Sequence, residues 1–118
     1  MAFSSFEDLA VWKRASRLAV ELYRLFQNCK DFGIKDQITR AAVSIASNIA
    51  EGAERGTKPE FIRYLRIAKG SAAELRTQLY ISSEIGLISN SGKNRELFAE
   101  LKEISSMLQG LINSLQNQ

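Results

Sequence analysis

Apolar residues recur every three or four positions along nearly the whole chain, and no segment alternates apolar with polar between hairpin turns. That periodicity belongs to helices, not strands. The cleanest instance is Leu97, Leu101, Ile104, Leu108, Leu111 and Leu115, a seam with intervals of four and three. A comparable seam, Phe61, Leu65, Ala68, Ala72, Leu75 and Leu79, runs inside a helix predicted from about Lys58 to Ile85 and stopped by Gly86. Thr57 and Glu60 have capping-box spacing at its start, where Pro59 is tolerated. Gly70, inside that helix, costs about 1 kcal/mol against Ala, which predicts close packing or contact there. Near the N-terminus, Ser4 and Glu7 fit another capping box. Two adjacent rows follow it, Leu9, Trp12, Ser16, Ala19, Tyr23, Phe26 and Val11, Ala15, Leu18, Leu22, Leu25. They predict a helix of about five turns with a wide apolar face, broken in "NCKDFG" at Gly33.

The remaining helix, "QITRAAVSIASNIAEG", contains no Leu, Phe or Met. Ile34, Ile38, Ala41, Ile45 and Ile49 line one side; Val43, Ala46, Ala50 and Ala53 lie on another. Only the arc of Gln37, Arg40, Ser44, Asn48 and Glu51 is polar. A helix apolar over most of its circumference is buried on more than one side, and small side chains let neighbouring backbones approach. Gly52 and Gly56 suit its end. With a single proline in 118 residues, the expected fold is all-α: one domain, residues 1–118, forming an up-and-down antiparallel four-helix bundle.

The chain contains no histidine. This removes the commonest general base, the Ser–His and Cys–His nucleophile pairs, most zinc and haem sites, and the Glu-x-x-His pairs of di-iron bundles. A non-enzymatic protein without cofactor or metal is expected. The lone Cys29 makes no internal disulfide and fits a reducing cytoplasm. No uninterrupted apolar run is long enough to span a membrane, and "MAFSSFEDLAVWK" lacks a basic leader before an apolar run, so no signal peptide is expected.

Two features point outward. Ile67 and Ile81 lie away from the seam of their helix, and the N-terminal helix has a second apolar row; unless it is used by the wide faces with which each bundle helix touches two neighbours, this surplus predicts self-association. The net charge of +3 is also uneven. From Arg55 to Arg76 there are six basic residues (Arg55, Lys58, Arg63, Arg66, Lys69, Arg76) against two acidic ones (Glu60, Glu74), leaving the rest of the chain with ten basic and eleven acidic. Such a run is either a solvated helix face or a phosphate-binding patch. There is no zinc-finger spacing, basic zipper, helix-turn-helix or Gly-rich phosphate loop.

"FEDLAVWKRA", the run from Gln37 through "SNIAEGAERGTKPEFIRYLRIAKGSAAEL" and "LKEISSMLQGLINSL" together resemble the bacterial four-helix-bundle family of large-subunit ribosomal RNA intervening-sequence proteins. The resemblance spans nearly the whole chain and rests on a specific Gln-x-x-Arg-Ala-x-x-Ser-Ile-x-x-Asn-Ile-Ala-Glu-Gly run followed by Ala-x-Gly-Ser-x-x-Glu-Leu. It implies a ring-like homopentamer and a non-catalytic RNA-binding scaffold. It also suggests kinship with the accessory protein of diversity-generating retroelements, which partners a reverse transcriptase. Under that alternative the chain is a protein-docking scaffold with little nucleic-acid affinity of its own. The signature positions carried over are Gln37, Arg40, Ser44, Asn48, Glu51, Gly52, Arg55, Gly70, Ser71 and Glu74. Arg40, Asn48 and Glu51 with Glu74 read either as a structural polar network, in which Arg40 pairs with Glu51 or Glu74, or as a ligand-facing cluster.

Overall fold

A computed structural model describes residues 5–89 and 91–118. A single 3-10 turn, Phe6–Asp8, leads into four helices: α1 (Ala10–Leu25), α2 (Phe32–Glu54), α3 (Lys58–Glu84) and α4 (Gly92–Gln116). Among the described residues there is no strand. No described helix is long and apolar enough to cross a membrane.

Side-chain caps set the starts of three helices. Asp31 accepts from the Ile34 amide at 3.2 Å, Thr57 from Glu60 at 3.4 Å and Ser91 from Asn94 at 3.3 Å. Each satisfies an amide that lacks a partner within its helix. The Asp31 cap puts Gly33 inside the first turn of α2, so the break falls earlier than the glycine suggests. Ser4 lies outside the described residues; Ser5 caps the Phe6–Asp8 turn, accepting from the Glu7 amide. α1 begins only at Ala10 and runs for 16 residues. At the far end of α3, Gly86 adopts φ +81°; its amide reaches the Ser83 carbonyl and that of Leu87 the Ser82 carbonyl, closing the helix in a Schellman arrangement.

Cross-helix contacts give the topology. Ser44 meets Ser71, Lys69 meets Gln109 and Arg14 meets Glu100, so α2 runs against α3, α3 against α4 and α4 against α1. Each helix touches its chain neighbours, α1 and α4 close the square, and the backbones of diagonal helices stay apart across the shared core. The expected up-and-down bundle is the fold. Its 45 × 22 × 20 Å extents follow from α3, whose 27 residues rise by about 40 Å.

One hydrophobic core runs through all four helices. Every member of the predicted α3 seam is buried. In α1 both rows reach the core: Val11, Ala15, Leu18 and Leu22 of one row and Ala19 and Phe26 of the other are buried, whereas Leu9, Trp12 and Leu25 are half-buried and Tyr23 is exposed. The supposed surplus row of α1 is therefore used by the bundle itself, together with part of the first row. In α4 the seam continues from Leu108 to Ile112 and Leu115, with Leu111 only half-buried. Leu111 and Ile112 are both apolar, so only the facing helices decide between them.

The α2–α3 interface is the most extensive, and the small side chains of α2 explain why. Gly52 lies within α2 and is buried; a Cβ there would come 2.6 Å from Tyr64 Cβ. It permits close approach and does not end the helix. Gly56, at φ +83°, makes the turn. Gly70 does the opposite of what its helical setting predicts: it is exposed, and a Cβ would meet nothing within 4 Å.

Candidate nucleic-acid interface

The turn from α2 to α3 gathers four of the six basic candidates, Arg55, Lys58, Arg63 and Arg66. Tyr64 organises two of them. The Arg55 guanidinium lies 5.2 Å from the ring centroid and that of Arg63 lies 4.6 Å away. Arg55 also donates to the Tyr64 hydroxyl at 2.8 Å and to the Glu51 carboxylate at 3.2 Å. Arg63 donates to Glu60 at 2.8 Å. The cations flanking the ring are held by cation–π attraction and by neighbouring carboxylates. The hydrogen bond from Arg63 holds the Glu60 carboxyl below its ordinary pKa. Lys58 and Arg66 make no ion pair or hydrogen bond among the described residues. Arg63 and Arg66 edge an open cleft floored by Pro59, Ile62 and Ile67.

Lys69 and Arg76 point elsewhere. Seven residues apart, they share the side of α3 that faces α4. Lys69 donates to Gln109 Oε1 at 2.7 Å, and Arg76 lines a groove of about 520 Å³ with Tyr80, Phe98 and Lys102. The six basic residues thus form two clusters, not one face. The sequence reading missed Tyr64 as the organiser of the turn, and it missed Lys102, Tyr80 and Phe98, which join Arg76 only through the α3–α4 register.

The polar arc of α2 also divides. Its centre is structural: Asn48 Nδ2 donates to the Ser44 carbonyl at 2.8 Å and to Ser44 Oγ at 2.9 Å, while Ser44 Oγ and Ser71 Oγ lie 2.9 Å apart across the helices. Its ends face solvent. Arg40 pairs with Asp36 at 2.8 Å, one turn back on α2, with neither Glu51 nor Glu74. Glu51 pairs with Arg55. The structure therefore replaces the expected Arg40 network by a surface pair, because Asp36 is within one turn and Glu74 is on another helix. Gln37, Arg40, Ser44 and Glu74 line a shallow groove with Gln78, whose Oε1 is buried without a partner. Among the described residues no cluster of His, Cys, Asp or Glu could hold a metal.

A second clamp lay outside any sequence motif. Arg14 on α1 grips both oxygens of Glu100 on α4, with Nε–Oε2 at 2.9 Å, and donates to Met107 Sδ at 3.3 Å. The hydrogen bond from Arg14 lowers the Glu100 pKa below its ordinary value, and Arg14 is raised in return.

No curated protein is significantly similar to this chain. Among solved structures, a protein of unknown function from the S23 ribosomal protein family of Bacteroides thetaiotaomicron superposes with a TM-score of 0.81 at 25% identity, covering 87% of this chain and 98% of that one. Residues 7–110 match the family described as 23S rRNA-intervening sequence protein. That match takes in all of α1, α2 and α3 and most of α4, so the chain belongs to the 23S rRNA-intervening sequence protein family.

Proposed function

We propose that this protein is a non-enzymatic, cytoplasmic, homo-oligomeric scaffold that binds structured RNA through the basic turn between α2 and α3. The observation that carries this reading is the concentration of Arg55, Lys58, Arg63 and Arg66 around one turn, with Lys58 and Arg66 free of acidic partners. Cations left unneutralised on one end of a rod suit a polyanion, and repetition around a ring multiplies them. The family name, which refers to 23S rRNA, supports a nucleic-acid-associated role. Self-association is supported by the outward stripe of α3, where Ile67 and Ile81 remain 40% and 44% exposed on either side of the bare Gly70. A ring of five subunits is what the family resemblance implies.

A second reading, a protein-docking scaffold such as an accessory subunit of a reverse transcriptase, draws on the opposite end of the bundle. There Phe32, Ile85 and Leu87 are exposed at 71%, 58% and 37%.

Fluorescence anisotropy with a hairpin RNA and a duplex DNA at two salt concentrations separates the readings. The RNA-binding scaffold should bind at micromolar concentration or tighter in low salt, with log affinity falling linearly with log salt. Arg63→Glu with Arg66→Glu should weaken all sequences alike and leave the oligomer intact. Absence of binding at low salt, or a double reversal that binds like wild type, would favour protein docking.

A further inference from the structure

We propose that the groove between α3 and α4 is a site for an unpaired nucleotide of RNA, with the base against Tyr80 and Phe98 and its phosphate between Arg76 and Lys102. This deepens the RNA-binding reading and rests on it. The groove has a volume of about 520 Å³; Ala73 and Thr77 complete its lining.

The charges are the first argument. The Lys69–Gln109 hydrogen bond fixes the antiparallel register, and that register sets Arg76 across the groove from Lys102. One turn away on either side, Arg76 has Ala72, Ala73, Leu79 and Tyr80, and Lys102 has Phe98, Ala99, Ser105 and Ser106. None of these is acidic. Neither cation makes an ion pair or hydrogen bond among the described residues, whereas Arg14, Arg40, Arg55 and Arg63 each hold a carboxylate. Two like charges facing across a groove repel, and an anion bound between them removes that repulsion.

The aromatic floor is the second argument. Tyr80 is 62% exposed, a large ring held open to solvent beside the cations, and Phe98 packs its inner edge on the core. A ring next to a cation pair matches a base next to its phosphodiester. Base stacking on such rings needs no particular sequence, but it does need a base face, which a duplex keeps hidden. The groove therefore favours looped-out or single-stranded RNA, and the basic turn at the other end of α3 does not require it. An acidic peptide would satisfy the cations equally and is the competing outcome.

The test uses a fluorescein-labelled 12-nucleotide oligoadenylate and an RNA duplex of equal length, titrated into the intact protein at low salt, with AMP followed in parallel by NMR. Tyr80→Ala should weaken oligoadenylate binding about tenfold and leave duplex binding within about twofold, while Tyr80→Phe, which keeps the ring, should bind like wild type. Arg76→Gln with Lys102→Gln should weaken oligoadenylate at least as much. AMP should shift the Tyr80 and Phe98 resonances in wild type and not in the double variant. If RNA binds but Tyr80→Ala does not discriminate single strand from duplex, the groove assignment fails and the basic-turn reading stands. If neither RNA binds, the RNA-binding reading fails and the groove assignment falls with it, whatever AMP does. A groove that takes an acidic aromatic peptide and no AMP is a peptide site, which also overturns the assignment.

Discussion

Gly52 and Gly110 look alike in the sequence, each a glycine inside a helix, yet the fold uses them in opposite ways. At Gly52 an added methyl would lie 2.6 Å from Tyr64 Cβ and 3.3 Å from the Phe61 carbonyl, and neither can retreat without moving α3. Gly52→Ala should lower stability by about 1–3 kcal/mol, as overpacking does. At Gly110 nothing lies within 4 Å, so Gly110→Ala should raise stability by about 0.5–1 kcal/mol through helix propensity alone. Urea denaturation of the two variants checks the pair; similar effects would mean that α2 and α3 do not approach so closely. Arg40 carries the same lesson. Its side chain and that of Asp36 are 79% and 60% exposed, so Arg40→Ala should cost no more than about 0.5 kcal/mol, not the several expected had it neutralised a buried carboxylate. Residue type announced that Arg40 is polar on an apolar helix; only geometry distinguished a surface pair from a buried one.

At the scale of the helices, the sequence carried the number, type and order of elements, because seams at intervals of three and four are set by burial along each helix separately. Boundaries slipped where a cap decided them, as at Asp31 and Ser5, and seams slipped where two apolar rows competed, as in α1 and α4. Contacts between helices were illegible for a different reason. Arg14 and Glu100 are separated by most of the chain, and nothing local to either names the other. Their pair makes a testable contribution to stability. Arg14 holds the folded-state pKa of Glu100 below its ordinary value of 4.5, so the stabilisation is fully present above the unfolded pKa and is lost as pH falls through the folded one. Both side chains are about one-third exposed, which limits the pair to about 1 kcal/mol. Glu100→Gln should therefore be less stable than wild type at pH 7 by about that amount, with the gap closing below pH 4.5. Denaturant titrations at pH 7 and pH 3 measure it, and an unchanged gap would assign the loss to packing instead of charge.

Across the whole molecule, Ile67, Gly70, Glu74 and Ile81 share the outward side of α3, a stripe that the bundle itself does not cover. Sedimentation should find a closed oligomer of five subunits. Ile67→Glu with Ile81→Glu should release a helical monomer of 13.2 kDa; a wild type already monomeric at micromolar concentration would remove the assembly from the proposal. The candidate site was only half legible at this scale. The charge excess between Arg55 and Arg76 could be counted along the chain, but its division between the turn and the α3–α4 groove follows from helix phase and register. The square of helices has a further consequence. Its sides are unequal, with α2 against α3 the broadest and α1 against α4 the narrowest. A closed square must come apart somewhere, and the narrow side is where it costs least. In native-state hydrogen exchange, the amides of α2 and α3 should be the last to surrender their protons, and those of α1 and α4 should exchange through an earlier, partial opening. The bundle would behave as a hinged book with α2 and α3 as its spine and the Arg14–Glu100 clamp as its clasp.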